Sequence, residues 1–151
     1  MNYIIKSPLL LKSTIALPSS KSISNRALIL NALSGCPQAI QNLSDCDDTE
    51  VLMKALDFEN CNFDIKAAGT AMRFLTALLS TKKGSWTITG TERMKNRPIR
   101  LLAEALKNLG GNVEYMEKDG FPPLRIHGCQ LLGGKISMSG NVSSQYISAL
   151  L

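Results

Sequence analysis

The chain has 151 residues, a length typical of a single domain with its own hydrophobic core. Hydrophobic residues make up 44% of the sequence and charged residues 19%, which excludes a disordered or collagen-like chain. The longest uninterrupted apolar run, residues 27–30, is far shorter than the roughly 20 residues of a membrane-spanning helix, and the first residues do not have the pattern of a signal peptide. We therefore expect a soluble, cytoplasmic protein with no membrane partner.

The positive charges of the sequence are grouped. There are 17 basic and 12 acidic residues, and residues 1–44 contain basic residues but no acid. A second basic stretch, residues 93–100, holds Arg93, Lys95, Arg97 and Arg100. Such a stretch suits a compact anion, such as a phosphate or a carboxylate. Nucleic acid is not expected as a partner, because no aromatic residue lies inside this stretch to stack on bases.

Metal and redox chemistry find little support in the sequence. The cysteines, at positions 36, 46, 61 and 129, lack the spacing of a zinc or redox motif, so we expect buried, reduced thiols. His127 is the single histidine, and its alternating apolar and polar neighbours predict a strand residue rather than a ligand or general base. The sequence therefore predicts no metal and no cofactor. It also contains neither a P-loop nor a Rossmann glycine motif.

The predicted elements alternate between strands and helices from the start of the chain. Residues 14–17 predict a short strand, and residues 22–34 predict a helix that a glycine and a proline end. Residues 38–43 predict a second strand. A helix from about residue 47 to 58 follows, with acids at its positive end, and residues 61–65 predict a third strand.

The same order of elements then restarts. A helix follows residues 68–70, with apolar residues on one face at a 3.6-residue period, and residues 85–89 predict a strand. The next helix is predicted to start at Arg97 and Pro98 and to end before a glycine pair. A hairpin is then expected around a turn at Asp119 and Gly120. The remaining predicted elements are the hairpin strands at 112–116 and 123–127, a strand at 135–139 and a helix from about 143.

This order predicts an α/β fold made of repeated units, with two strand-helix-strand-helix-strand units and the start of a third. A single doubly wound sheet is not expected. Ile147, Leu150 and Leu151 would form the apolar face of a helix in its second turn, so we expect the chain to be part of a longer protein.

Small and polar residues precede the first helix of each unit, at residues 20–22, 68–70 and 143–145. Helix starts carry free N–H groups and partial positive charge, so these loops are natural anion sites, although ordinary N-capping explains each loop by itself. Gly69 would let the backbone approach a ligand and would tolerate a positive φ.

Two basic segments add to this pattern. Ser22 and Arg26 share one helix face, which would either hold a ligand or be a solvated polar surface. The cations of residues 93–97 would oppose the dipole of the helix predicted to start there, a conflict that an anionic ligand would relieve.

Four segments of the chain form a recognisable set of motifs: residues 18–28 (PSSKSISNRAL), 68–73 (AGTAMR), 93–99 (RMKNRPI) and 142–146 (VSSQY). In these segments the chain resembles the 5-enolpyruvylshikimate-3-phosphate synthase family, of which it would be an N-terminal part. Such enzymes have two lobes of repeated βαβαββ units. The resemblance implies a transferase that glyphosate inhibits and that moves the enolpyruvyl group of phosphoenolpyruvate to the 5-hydroxyl of shikimate 3-phosphate, with release of phosphate, in the shikimate pathway of aromatic amino-acid biosynthesis.

The resemblance also implies an organisation and a set of binding residues. The proton-transfer groups would lie in the C-terminal half, so this chain would hold no catalytic residue and would be inactive alone. Residues 1–17 would be a crossover segment that belongs to the other lobe, and residues 18–151 the N-terminal lobe, truncated within its third repeat. The chain would contact the remainder of its own polypeptide in a full-length monomer. Shikimate 3-phosphate would bind Lys21, Ser22, Arg26, Ser143, Ser144 and Gln145, and phosphoenolpyruvate would bind Lys21, Gly69, Arg97 and Gln145.

Two alternatives stay open at this point. UDP-N-acetylglucosamine enolpyruvyl transferases share the fold but typically have Lys-Asn where this chain has Lys21 and Ser22, so the sequence favours shikimate 3-phosphate. A non-catalytic anion-binding or RNA-binding module would instead bind polyanions in general. Its affinity for nucleic acid would fall steeply as the salt concentration rises.

Overall fold

Helices and strands are interspersed along the chain. The computed structural model describes residues 3–4, 6, 9–10, 12–58 and 60–151, and the α/β class predicted from the sequence is confirmed there. The elements are α1 (Lys21–Leu33), α2 (Asp47–Ala55), β1 (Asn62–Asp64), α3 (Gly69–Thr81), β2 (Gly84–Thr89), α4 (Glu92–Lys95), α5 (Arg100–Asn108), β3 (Asn112–Tyr115), β4 (Leu124–Gly128) and α6 (Ser144–Leu150).

One mixed sheet holds these strands in the order β1-β2-β4-β3. β1 and β2 pair in parallel, with Phe63 opposite Ile88, whereas β2 with β4 and β3 with β4 pair antiparallel. Because α3 connects β1 to β2 and α5 connects β2 to β3, residues 62–128 form one complete βαβαββ unit. The second predicted unit is therefore confirmed, including its hairpin of β3 and β4.

The strands predicted at residues 14–17, 38–43 and 135–139 are wrong, because these residues are in neither a helix nor a strand. In the first segment Ile15 is 75% and Leu17 84% exposed, whereas in the other two Ile40, Leu43 and Met138 are half-buried against the core. A strand needs a neighbour to pair with its backbone N–H and C=O groups, and none of the strands in the described ranges pairs with these segments. The first predicted unit therefore consists, in the described residues, of α1, α2 and β1.

α3 is the central helix of the molecule. The predicted apolar face of α3 is buried, and because every residue from Gly69 to Ser80 is buried, its opposite, polar face is buried as well. The sheet packs on α3 through β2 and β4, and helices α1, α2, α5 and α6 pack around its other sides. The buried hydroxyls of Thr76 and Ser80 donate to carbonyl oxygens one turn earlier, each over 2.7 Å. Packing on all sides fixes the position of the first turn of α3, which begins at Gly69.

The short helix α4 was not predicted, and it changes the role of two cations. Thr91 caps α4 by accepting from the N–H of Met94, Arg93 and Lys95 lie in its last turn, and α5 starts only at Arg100. Cations are favourable at a helix C-terminus, so the predicted conflict with the dipole is wrong for these two residues. Lys95 also pairs with Glu117 over 3.2 Å.

The prediction of buried thiols is also wrong. Cys36 and Cys61 are exposed, Cys46 and Cys129 are half-buried, and all four cysteines are free. His127 lies in β4 as predicted, with its Nε2 atom 3.6 Å from a carboxylate oxygen of Glu114. None of the helices in the described part of the chain is long and apolar enough to cross a membrane.

Candidate anion-binding site

The first turn of α3 has an uncompensated positive end. The helix begins at Gly69, and its N-cap residue, Ala68, makes no side-chain hydrogen bond to the first turn. No acidic residue lies in that turn. Unpaired N–H groups and the partial positive charge of the helix dipole are therefore available there for an anion.

Two arginine side chains converge on Gly69. A β-carbon at Gly69 would collide with the Arg97 guanidinium, and it would lie 3.2 Å from Nη1 of Arg73. Gly69 does not have a positive φ, so this glycine is required for space and not for an unusual backbone conformation. The space beside the Gly69 backbone, where the sequence predicts a ligand, is thus bordered by the Arg97 side chain.

Arg97 follows α4 in a short connection to α5. Its backbone N–H donates to the carbonyl of Met94 over 2.9 Å, which fixes where the side chain leaves the main chain. Within the described residues the Arg97 guanidinium has no ion pair, whereas the guanidinium of Arg100 pairs with Asp119. Arg97 therefore retains its capacity to bind two oxygens of a phosphate or a carboxylate.

Arg73 is a site residue that the sequence analysis missed. It is 8% exposed, and its guanidinium donates to the carbonyl of Gly69 over 2.9 Å and to Oε1 of Gln145 over 3.1 Å. A second nitrogen donates to the hydroxyl of Tyr146 over 3.2 Å. The signal in the sequence was a single cation within the otherwise apolar and small residues of α3.

Gln145 is held between these groups at the start of α6. Besides accepting from Arg73, its side chain donates to the hydroxyl of Thr70 over 3.1 Å. The amide of Gln145 consequently lies against the first turn of α3. The structure thus brings together Gly69, Arg97 and Gln145, three of the residues predicted for phosphoenolpyruvate.

The residues predicted on α1 contact different parts of the molecule. Arg26 donates to the hydroxyl of Ser148 over 3.0 Å, and its guanidinium lies 5.5 Å from the ring centre of Phe74. These contacts attach α1 to α6 and α3. Lys21 instead pairs with Asp48 of α2 over 3.5 Å, and Ser22 is exposed.

Ser143 and Ser144 begin the last helix. Ser143 caps α6 by accepting from the N–H of Gln145 over 3.4 Å, and both serines are exposed. Among the described contacts, none joins Lys21 or these two serines to Arg97. The residues predicted for shikimate 3-phosphate and those predicted for phosphoenolpyruvate are therefore linked through contacts of α6 with α1 and α3, but not all of them contact one another.

The chemistry that the site offers is anion binding. No carboxylate in the described ranges contacts the side chains of Arg73, Arg97 or Gln145, so the site supplies positive charge and hydrogen-bond donors but no acid or base. In the same ranges, no group of three or more His, Cys, Asp or Glu residues is placed to hold a metal ion. An anion with phosphate or carboxylate oxygens fits this set of donors.

The fold and the site define a mixed α/β domain with a βαβαββ unit and a candidate anion site at the start of its central helix. The family model described as EPSP synthase (3-phosphoshikimate 1-carboxyvinyltransferase) matches residues 5–58 and 52–151. The chain belongs to this family.

Individual relatives agree with the family match. A protein from Bacteroides fragilis (strain YCH46), named 3-phosphoshikimate 1-carboxyvinyltransferase, is 60% identical over 151 residues, which are 100% of this chain and 37% of that protein. A protein of the same name from Vibrio cholerae serotype O1 (strain M66-2) is 38% identical over 168 residues, which cover 94% of this chain and 39% of that protein. The chain therefore spans well under half of the length of these relatives.

A solved structure supports the fold. EPSP synthase from Acinetobacter baumannii matches with a TM-score of 0.78 at 22% sequence identity, and the match covers 89% of this chain and 36% of that chain. At this level of identity, the likeness carries an argument about the fold alone.

Proposed function

We propose that this chain is the N-terminal part of an enzyme that transfers the enolpyruvyl group of phosphoenolpyruvate to the 5-hydroxyl of shikimate 3-phosphate and releases phosphate. The observation that carries the proposal is the convergence of the Arg73 and Arg97 guanidinium groups on Gly69 at the start of α3. Family membership and the names of the relatives support it. The enzyme would act in the cytoplasm as a monomer, in aromatic amino-acid biosynthesis.

The proposed phosphoenolpyruvate site consists of Gly69, Arg97 and Gln145, together with Lys21. Arg97 would hold phosphate or carboxylate oxygens, and Gln145 would donate from the amide that now bonds Thr70. Lys21 would leave its exposed ion pair with Asp48, which costs little because exposed pairs contribute about 1 kcal/mol or less. Glyphosate, a small anion, would bind at the same place.

The proposed shikimate 3-phosphate site lies between α1 and α6. Support comes from Arg26, whose bond to Ser148 brings the polar face of α1 to α6, where the other predicted residues are. Ser22 and Ser144 are exposed and available as hydroxyl donors. The full set is Lys21, Ser22, Arg26, Ser143, Ser144 and Gln145.

The contribution of this chain to the reaction would be positioning and charge neutralisation. Holding two anionic substrates together and stabilising developing charge can each supply several kcal/mol of barrier lowering. Proton transfer needs an acid and a base, and no carboxylate in the described part contacts Arg97 or Gln145. We therefore expect no turnover by residues 1–151 alone.

The rest of the polypeptide is the proposed partner. A cavity of about 480 Å³ opens between α1, α3 and α6, and its lining is mainly apolar. Leu30 and Leu33, in that lining, are 68% and 57% exposed. Because apolar surface gains free energy when it is removed from water, we propose that the part of the polypeptide that follows the matched region in the relatives packs here. Residues 1–17 would belong to the other lobe.

The test is a chimera in which residues 1–151 replace the matching 37% of the Bacteroides fragilis relative. We expect phosphate release that requires both phosphoenolpyruvate and shikimate 3-phosphate. The unmodified relative is the positive control, and purified residues 1–151 are expected to show no release. A folded chimera with no activity, or phosphate release that does not depend on shikimate 3-phosphate, would contradict the proposal.

A further inference from the structure

Arg73 is a buried cation without an acidic partner. It is 8% exposed, its Nε atom is buried with no hydrogen-bond acceptor, and none of the ion pairs in the described part of the chain includes it. Burying a charge without a counter-charge is costly, and an apolar side chain would fill the same space at a lower cost. Packing alone therefore does not account for an arginine at this position.

The hydrogen bonds of Arg73 join two separate segments of the site. One guanidinium nitrogen donates to the carbonyl of Gly69 over 2.9 Å and to Oε1 of Gln145 over 3.1 Å. The planar guanidinium can donate in several fixed directions at once, which a lysine ammonium on a flexible stem cannot reproduce. Arg73 thus sets the distance between the start of α3 and the amide of Gln145.

A tyrosine extends this connection to a third segment. The hydroxyl of Tyr146 accepts from Arg73 over 3.2 Å and donates to the carbonyl of Pro98 over 2.6 Å. The Arg73 guanidinium also lies 4.6 Å from the ring centre of Tyr146, a cation–π distance. Pro98 directly follows Arg97 in the chain, so the relay ends at the backbone that carries the Arg97 side chain.

We propose that Arg73 is a positioning residue for the phosphoenolpyruvate site: it orients Gln145 directly and, through Tyr146 and the Pro98 carbonyl, the segment that presents Arg97. This inference rests on the function proposed above. It explains why the uncompensated charge is at this place, because the guanidinium bonds directly to Gly69 and Gln145 and reaches the Pro98 carbonyl through the Tyr146 hydroxyl. The effect on phosphoenolpyruvate is indirect, since Arg73 acts through other side chains.

The test uses Tyr146→Phe, which removes one oxygen and keeps the ring, and Arg73→Lys, which keeps the charge. Both substitutions are made in the chimera described above, and its affinities for phosphoenolpyruvate and for shikimate 3-phosphate are measured by calorimetry, each alone and in the presence of the other, together with the melting temperature. Tyr115→Phe is the matched control. Tyr115 also lies near an arginine, Arg100, but its hydroxyl has no hydrogen-bond partner.

We expect Tyr146→Phe to weaken phosphoenolpyruvate binding about tenfold, the usual effect of one lost hydrogen bond, and to leave shikimate 3-phosphate binding unchanged. Arg73→Lys should weaken phosphoenolpyruvate binding at least as much, and Tyr115→Phe should change neither ligand. If Arg73→Lys does not fold, Tyr146→Phe decides.

Unchanged phosphoenolpyruvate affinity in Tyr146→Phe would overturn the positioning role. Equal weakening of both ligands together with a lower melting temperature would also overturn it, because that result indicates a merely structural contact. In both cases the chimera with the wild-type sequence of residues 1–151 still binds, so the proposed function survives. Loss of both ligands in that chimera, before any substitution, would instead overturn the proposed function on which this inference rests.

Discussion

The Arg97 guanidinium occupies the space that a β-carbon on Gly69 would fill. This relationship predicts the effect of Gly69→Ala: the methyl group would displace the flexible end of Arg97 and weaken the binding of phosphoenolpyruvate. Glyphosate, the longer ligand, should lose more affinity than phosphoenolpyruvate, by an amount on the order of the 1–3 kcal/mol of an overpacked site. α3 itself should tolerate the change, since alanine is the better helix former.

Gly140→Ala is the matched control for this substitution. Nothing lies within 4 Å of a β-carbon at Gly140, and the residue is exposed. The measurements are the affinities for phosphoenolpyruvate, glyphosate and shikimate 3-phosphate, and the melting temperature. If Gly69→Ala lowers the affinities for glyphosate and phosphoenolpyruvate equally, or if it lowers the melting temperature while Gly140→Ala does not, the backbone requires a glycine at position 69 and Gly69 is not a wall of the site.

The second prediction separates the two substrates. Arg97→Ala should weaken phosphoenolpyruvate more than shikimate 3-phosphate, and Arg26→Ala and Ser143→Ala should do the reverse. Each change removes hydrogen bonds to one anion, worth about 1–3 kcal/mol per contact. Calorimetric titration of the chimera with each substrate measures the two losses.

The control for the charge itself is Arg93→Ala. Arg93 lies on α4, is exposed and belongs to the same basic stretch, so its removal lowers the net charge by the same amount. Both affinities should stay close to wild type. If Arg93→Ala weakens binding as much as Arg97→Ala does, the net charge of the stretch determines affinity, and the assignment of Arg97 is wrong.

The structure shows which parts of the fold are encoded locally. The helices have local signals, such as the acids in the first turn of α2, and the central βαβαββ unit was predicted in the correct order. The strands predicted at 14–17, 38–43 and 135–139 failed because pairing is a non-local requirement. β-propensity shows that a segment can be a strand but not that a neighbour is present.

The candidate site was predictable to a similar degree. Gly69, Arg97 and Gln145 were predicted by resemblance, and the structure brings them together. Arg73 was missed because its role depends on Tyr146, which is 73 positions away in the sequence. A periodicity argument treats a cation on an apolar helix as an exception, and only the packing of α6 on α3 shows what it contacts.

The third prediction concerns the first segment of the chain. In the described part of residues 12–20, no backbone N–H donates to another backbone group, and Ile15 and Leu17 are exposed. The amides of residues 14–17 should therefore exchange with deuterium rapidly in the isolated chain, while amides in α3 exchange slowly. Hydrogen exchange followed by NMR measures both. Strong protection at residues 14–17 would contradict the proposal that this segment belongs to the other lobe.

The last prediction concerns the stability of the chain at alkaline pH. The hydroxyl of Tyr115 is buried without a hydrogen-bond partner, and burial raises the pKa of Tyr115 although the nearby Arg100 guanidinium opposes the rise. A raised pKa in the folded state means that the protonated form is favoured there. The resulting stability is complete below the unfolded pKa of about 10 and is lost as the pH rises through the folded pKa.

Tyr115→Phe removes this titration and the unpaired hydroxyl together. Near neutral pH the variant should be as stable as the wild type or more stable, because removing an unpaired buried polar group is neutral or favourable, by up to about 1 kcal/mol. Above a pH of about 10, the wild type should lose stability that the variant keeps, so the difference between them should grow in favour of phenylalanine. Urea unfolding of both proteins on either side of that pH measures the difference. Because all other groups titrate in both proteins, a difference that stays constant with pH would show that the Tyr115 hydroxyl reaches solvent.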